Sequence, residues 1–144
     1  MAGAMRTQTQ QGVPLLLVDD DGPALSTPED ALALVARTYD GDVGTIVVPV
    51  GRLDPEFFRL RSGIAGEFVQ KLVNYGKRLV IVGDVTEQVS ASSALHDFVV
   101  ESNRGDHLWF AATLDALDAR LDESATATDP GSDGGVEPTP GPAR

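Results

Sequence analysis

The sequence predicts an α/β fold, with a mainly parallel sheet of four or five strands flanked by about four helices. Short, continuous apolar runs, of the kind that fill the centre of a sheet, occur at 13–18, 45–48, 79–82 and 108–111. Segments with apolar residues at helical spacing separate these runs. Such alternation indicates right-handed crossovers that cover parallel strands with helices.

A polar segment at the amino end predicts one further strand. Met5–Gln10 precedes the first apolar run, and Gly12 between them is suited to a hairpin turn. We therefore expect an antiparallel edge strand beside the parallel sheet.

The first helix carries a clear start signal. Thr27 is predicted to be the N-cap, with Pro28 at the first helical position and Asp30 three residues after the cap. Gly41 is expected to end this helix. Its predicted buried face consists of Leu32, Val35, Ala36 and Tyr39.

Similar signals predict the later elements. A short helical turn begins at Asp54, and a longer helix runs from about Gly63 to Tyr75. A third helix ends near residue 103, where Asn103 or Gly105 is expected to be left-handed. Thr113 is predicted to cap the last helix. The residues expected to be buried by these helices are Ile64, Ala65, Phe68, Val69, Leu72, Val73, Ala94, Leu95, Phe98, Val99, Leu114, Leu117 and Leu121.

Composition narrows the function classes. The 22 acidic and 11 basic residues give a net charge of −11, which disfavours nucleic acid and anionic membranes as partners. The absence of cysteine excludes disulfides, thiolate nucleophiles and cysteine-ligated metals. The amino terminus lacks the apolar core of a signal peptide, and no apolar run approaches the roughly 20 residues that span a bilayer. We expect a cytoplasmic protein without a cofactor.

The predicted domain organisation is simple. Residues 1–4 and the Pro-, Gly- and Asp-rich segment 123–144 are expected to be disordered, because they offer little apolar area for burial. Residues 5–122 then form one α/β domain.

Two segments resemble an uncharacterised bacterial family, the domain of unknown function numbered 4180. They are 57–75, with the motif Ala-Gly-Glu-x-x-Gln-Lys, and 93–105, with the motif Glu-Ser-Asn-x-Gly. The resemblance covers about Gly12 to Leu121, and it implies no activity.

A more distant resemblance is to the STAS domain, the fold of anti-sigma factor antagonists and of transporter regulatory tails. Leu60-Arg61-Ser62-Gly63-Ile64 is similar to the STAS loop that reads roughly Asp-Ser-Ser-Gly-Leu at a helix start. Leu60 stands at the aspartate and Arg61 at the serine that is phosphorylated in antagonists, so only Ser62 and Gly63 match. The resemblance implies a STAS-like fold, and it does not extend to the phosphorylation switch.

The turn at 59–63 is one candidate site. Arg59, Arg61 and Ser62 precede a helix N-terminus that contains Gly63 and Gly66, and such a terminus can hold a phosphate or carboxylate. The alternative is structural, with Ser62 capping the helix and the glycines permitting close packing of the backbone.

The following helix offers a second candidate site. Glu67, Gln70, Lys71 and Asn74 recur at three- and four-residue spacing and share one polar face. This face is either a partner-binding surface, extended by Tyr75, or a solvated face with a Glu67–Lys71 ion pair.

Two further residues belong to the candidate set. Asp84 follows a parallel strand at the carboxyl edge of the sheet, where open α/β sheets usually bind ligands. It is expected either to face Ser62 across this edge or to cap a turn at Thr86. Arg104 is expected to reach a partner from the loop after the third helix. His96 and Asp97 are adjacent and point in different directions, so a catalytic triad with the nearby serines is disfavoured.

The spacing of the histidine, acidic and serine residues supports neither a metal site nor a hydrolase active site. Two histidines, and an acidic turn without the EF-hand pattern, predict no metal site. Ser92 or Ser93 is expected to cap the third helix.

The sequence therefore favours a non-enzymatic binding or regulatory domain that contacts a protein partner through the turn and helix at 59–75. The alternative is a protein, or an enzyme, that binds a small anionic ligand or a nucleotide near Ser62 and Gly63. A third possibility is a homodimer that forms through the same helix face.

Overall fold

The computed structural model describes residues 5–39 and 43–128. Five strands and five α-helices alternate over these residues, and three 3₁₀ turns, Val50–Arg52, Pro55–Phe58 and Leu60–Ser62, link the third strand to the second helix. The elements are β1 (Met5–Gln10), β2 (Val13–Val18), α1 (Pro28–Thr38), β3 (Thr45–Pro49), α2 (Ile64–Asn74), β4 (Arg78–Val82), α3 (Thr86–Ala91), α4 (Ser93–Arg104), β5 (Leu108–Ala111) and α5 (Leu114–Thr128).

The sheet has the order β1-β2-β3-β4-β5. β1 pairs antiparallel with β2, and the other neighbours are parallel. The predicted mainly parallel sheet with an antiparallel amino-terminal strand is therefore confirmed. Gln11 and Gly12 both have positive φ, 50° and 76°, as a two-residue hairpin turn that matches the twist of its strands requires.

The helices lie mainly on one face of the sheet. Because the parallel strands follow one another in spatial order, right-handed crossovers carry every connecting helix to the same side. The larger core lies there, between alternate strand residues and helices α1 and α2, with Phe98 of α4 at its edge. The smaller core on the other face packs Leu117 and Leu121 of α5 against β2 to β5.

The start of α1 forms as predicted, but its buried face differs. Thr27 caps Asp30 N, and the Asp30 carboxylate accepts a hydrogen bond from Thr27 N. The buried residues are Ala31, Leu34, Val35 and Thr38, whereas Leu32 is 38% and Tyr39 65% exposed. The predicted face was therefore wrong except at Val35. Two apolar stripes run along α1, and sequence periodicity alone does not choose between them.

Two other local predictions need correction. Gly105 is extended, with φ −98° and ψ −165°, and Asn103 is still helical, so neither is left-handed. The short helix α3 was not predicted beyond a turn, because none of its six residues is buried and no apolar periodicity marks it. Helix α5 runs to Thr128, and the domain boundary at residue 122 stays a prediction.

Some predictions fall outside the described residues. They concern Gly41 as the end of α1, residues 1–4, and the tail from residue 129 onward. In the described part of the chain, no helix has the length and apolar character that crossing a bilayer demands.

A buried arginine, which the sequence did not single out, closes one end of the sheet. Arg52 is 2% exposed and follows β3. Its Nη1 donates to the carbonyl oxygens of Asp19 and Asp21, at 2.9 Å each, and its Nε donates to that of Pro23 at 3.1 Å. These three bonds hold the β2–α1 loop against the end of β3, where Leu25 and Leu53 also form a parallel bridge.

Replacing Arg52 by methionine should destabilise the fold by about 3 kcal/mol, because three buried carbonyl groups lose their donor. Chemical denaturation measures the free energy of unfolding. Arg104→Met is the matched control, since this side chain is 72% exposed and should change stability by less than about 0.5 kcal/mol. Equal effects of the two substitutions would contradict the role given to Arg52.

The α1 cap should make stability depend on pH in the acid range. Partial burial alone would raise the pKa of Asp30, but hydrogen bonds from Ser26 and Thr27 outweigh it and hold the pKa below its ordinary 3.8. A carboxylate with a depressed pKa stabilises the fold above the unfolded-state value, and this contribution is lost as the pH falls through the folded-state value. Stability should thus fall below about pH 3.8, and Asp30→Asn should flatten that part of the curve. Denaturation midpoints measured at several pH values check this; an unchanged slope in Asp30→Asn would count against it.

Candidate functional site

The turn before α2 is built by its own hydrogen bonds. The Ser62 hydroxyl lies 2.8 Å from the carbonyl oxygen of Glu56 and 2.7 Å from that of Arg59, and it accepts from Ile64 N at 3.2 Å. Ser62 therefore closes the turn, but the N-cap of α2 is Gly63, so the predicted capping of this helix by Ser62 is wrong. The carboxylate of Glu56 also pairs with Arg59 at 3.1 Å.

The two glycines of this region have different explanations. Gly63 precedes α2 in the left-handed conformation, with φ 78°, which a side chain would strain. Gly66 lies within α2 at an exposed position, and a Cβ built on either glycine meets no atom within 4 Å. Close packing within the chain is thus not the reason for either glycine, and the fold does not explain Gly66.

The turn borders a groove of about 440 Å³. Arg59 and Arg61 line one side, and Ser92 and Ser93 at the start of α4 line the other. Ser92 is the N-cap of α4, because its hydroxyl accepts from Leu95 N at 3.1 Å. The arginines therefore lie next to the N-terminus of α4 as well as preceding α2.

The polar face of α2 forms as predicted. It lines a shallow groove of about 500 Å³ together with Pro28 of α1, and its members are Gly66, Glu67, Gln70, Lys71 and Asn74. Gln70 Nε2 donates to Asn74 Oδ1 at 2.9 Å. Glu67 and Lys71 do not form an ion pair with each other in the described part of the chain, so their charged groups face solvent.

Apolar side chains border this polar face. Leu32 and Tyr39 follow Pro28 at four and eleven residues, so they lie on the same side of α1 as the groove. The Tyr39 ring lies 5.4 Å from Lys77 Nζ, just beyond α2, and Tyr75 at the end of α2 is 46% exposed. We call Leu32, Tyr39, Tyr75 and the α2 polar residues the α1–α2 face. Leu32 and Tyr39 were not predicted as surface residues, because their helical spacing assigns them to the core.

Asp84 and Arg104 lie apart from that face. Asp84 Oδ1 accepts from Thr86 N at 2.9 Å and from the Thr86 hydroxyl at 2.5 Å, and these bonds hold the pKa of Asp84 below its ordinary value. Asp84 thus closes a turn with Thr86, as one of its two predicted readings had it, while Val85 is the N-cap of α3. Arg104 is exposed and pairs with Glu101 at 3.4 Å.

The residues considered for catalysis or metal binding do not converge. His96 Nδ1 lies 3.4 Å from Asp97 Oδ1, and both side chains are exposed. Over residues 5–39 and 43–122, no three histidine or carboxylate side chains come together in a way that could hold a metal ion.

The motif at 101–105 has a structural role in joining α4, β5 and α5. Asn103 Oδ1 accepts from Phe110 N at 2.8 Å, and the Asn103 carbonyl accepts from Arg120 Nη2. Trp109 Nε1 donates to the carbonyl oxygen of Gly105 at 2.7 Å. The guanidinium groups of Arg78 and Arg120 lie 4.0 and 3.9 Å from the Trp109 ring centre. Such cation–π contacts are strengthened by the burial of the ring.

Asn103→Ala should destabilise the fold by about 2 kcal/mol, because the Phe110 amide would lose its acceptor. Thermal or chemical denaturation measures this change. Asn74→Ala is the matched control, since its side chain is exposed and bonds only to Gln70 among the described residues. A loss of stability in the control as large as that in Asn103→Ala would refute the structural role.

One comparison with known proteins gives a match. A family model described as "Domain of unknown function (DUF4180)" matches residues 10–121, which include β2 to β5, α1 to α4 and both candidate grooves. No curated protein and no solved structure matches the chain, so the resemblance to STAS domains stays a prediction. Because the model covers most of the sequence, the chain belongs to the DUF4180 family, which is defined without a function.

Proposed function

We propose that this domain is a non-enzymatic binding module that recognises a protein partner through the α1–α2 face and the adjoining turn at 59–63. The partner presents an apolar ridge, such as that of an amphipathic helix, with hydrogen-bonding groups along its edge. Helices that lie in grooves between other helices are a recurring mode of peptide recognition. A regulatory role and a cytoplasmic location form part of this proposal.

The exposed apolar side chains carry the proposal. Of the four large hydrophobic side chains that are exposed in the described part of the chain, three belong to the α1–α2 face, namely Leu32, Tyr39 and Tyr75. Tyrosine is enriched at protein interfaces, because its ring buries a large area while its hydroxyl still finds a partner. Glu67 and Lys71 contribute opposite charges, so the face selects by hydrogen bonding rather than by net charge.

Gly66 gives independent support. An exposed glycine inside a helix costs about 1 kcal/mol relative to alanine. The space around Gly66 would accept a Cβ, so the fold gains nothing in return. A glycine there suits the close approach of another backbone, as expected at a helix–helix contact.

A second candidate is the binding of a small anion, such as a nucleotide phosphate. The 440 Å³ groove favours it, since Arg59 and Arg61 face the N-terminus of α4 across it. Arg59 already pairs with Glu56, which leaves Arg61 as the main cation for a ligand. Thermal-shift screening with phosphorylated metabolites separates the candidates: a rise in melting temperature that Arg61→Ala abolishes favours the anion site.

The partner proposal predicts that Leu32→Glu abolishes the capture of specific proteins by the tagged domain in its own cells. A buried, unpaired carboxylate at the contact would oppose binding. Quantitative crosslinking with mass spectrometry measures the captured proteins, with Glu67→Arg as a second face variant. Sedimentation of the pure protein tells whether the partner is a second copy.

Val100→Glu on α4 is the matched control. Val100 and Leu32 are both aliphatic, helical and 38% exposed, so each substitution should perturb folding equally. If both variants capture the same proteins as the unaltered chain, the α1–α2 face is not the contact surface.

Gly66→Ala separates stability from binding. It should raise the free energy of unfolding by about 0.5 to 1 kcal/mol, from helix propensity alone. The added methyl group should at the same time weaken partner capture, because it keeps the two backbones apart. A stabilised variant with undiminished capture would remove Gly66 from the contact.

A further inference from the structure

A cavity lies at the amino ends of the parallel strands, away from the turn at 59–63. Its volume is about 560 Å³, within the range of small-molecule sites. The lining includes Lys77 and Arg78 at the start of β4 and Asp106 and His107 before β5. Val13, Val73 and Leu121 supply an apolar wall.

Arg78 is held in a fixed orientation in this cavity. Its guanidinium lies 4.0 Å from the centre of the buried Trp109 ring, and its Nε donates to the Asp106 carbonyl at 2.8 Å. Within the described residues, this is the one hydrogen bond of the Arg78 side chain. Both terminal nitrogens therefore keep their N–H donors available, on a group that cannot easily turn away.

The terminal nitrogens of an arginine form a planar fork that matches a carboxylate. Arg78 is half-buried, and this burial lowers its pKa, although the nearby Asp106 raises it. The group stays charged at neutral pH, as arginines do. A partly desolvated cation of this kind gains more from an anion than an exposed one does.

The charge of the lining sets the charge of the ligand. Lys77 and Arg78 are cationic, and Asp106 is a carboxylate. Lys77 Nζ donates to the Val43 carbonyl at 2.9 Å, whereas the two terminal nitrogens of Arg78 have no hydrogen bond within the described residues. A monoanion balances this arrangement better than a phosphate dianion does.

We propose that this cavity binds a small organic carboxylate, with its carboxylate group on the terminal nitrogens of Arg78. The apolar part of the ligand lies against Val73 and Leu121. Lys77 of this cavity contacts Tyr39 at the edge of the α1–α2 face, but the two sites use different donors and neither proposal depends on the other.

The chain contains a single tryptophan, so its fluorescence reports directly on the site. Titration with hexanoate should change the fluorescence emission of Trp109, because the ligand binds the cation that is stacked on the indole ring. This change should reach saturation at a hexanoate concentration of about 10 mM. The neutral analogue hexanamide should cause no such change. Inorganic phosphate should bind at least about tenfold more weakly than hexanoate.

Two variants test the geometry. Arg78→Lys keeps the charge but loses the fork, and it should weaken hexanoate binding about tenfold. Gly44→Leu fills the cavity from its lining and leaves the Arg78 side chain in place, because Gly44 meets Arg78 only through its carbonyl, which accepts from Arg78 N at 2.8 Å, and a Cβ on Gly44 meets no atom within 4 Å. It should abolish binding, and amide chemical shifts along β4 and β5 provide a readout independent of the indole.

Gly51→Leu is the matched control, because Gly51 has the same open surroundings but does not line this cavity. It should bind hexanoate like the unaltered chain. The proposal is overturned by the absence of a saturable response to hexanoate, by an equal response to hexanamide, or by undiminished binding in Gly44→Leu. Tighter binding of phosphate than of hexanoate would overturn the assignment of a carboxylate.

Discussion

The burial of Arg52 is the constraint on which the arrangement of this domain depends. An arginine that is 2% exposed is tolerated where its donors find acceptors, and here three backbone carbonyls of the β2–α1 loop accept from Nε and Nη1 of Arg52. The loop is thereby fixed to the end of β3. Leu25 N donates to the Arg52 carbonyl at 2.7 Å, which joins the same two segments through the backbone. The entry to α1 and the exit from β3 consequently move as one unit.

This clamp also affects where ligands can bind. Open α/β sheets usually bind ligands at the carboxyl ends of their strands. Here the chain itself fills part of that edge, where the Arg52 guanidinium meets the carbonyls of Asp19, Asp21 and Pro23. The amino ends of the strands remain more open, and the cavity around Arg78 lies there. The outer sides of α1 and α2 are also accessible.

The elements that local patterns specify were predictable, and those that depend on the tertiary fold were not. The apolar strands, the Thr27 cap and the polar face of α2 each follow from residues close in sequence. The buried face of α1 did not, because Leu32 and Leu34 are equally apolar and only the position of the sheet decides between them. The burial of Arg52 was equally hidden, since its acceptors lie about 30 residues earlier. Within the candidate site, the polar residues of α2 could be identified from their helical periodicity. The exposed apolar residues of α1, Leu32 and Tyr39, could be identified only from the structure.

The two outer strands of the sheet bear on how copies of this domain can meet. An edge strand leaves a row of backbone groups unpaired, and another chain can add to it. β1 is composed of polar residues with Arg6 among them, apart from Met5, and β5 has only four residues. Neither edge offers the long, apolar template that sheet extension needs. Self-association of this domain should therefore proceed through helix surfaces, and lateral growth of the sheet into larger aggregates is disfavoured by the strands that bound it.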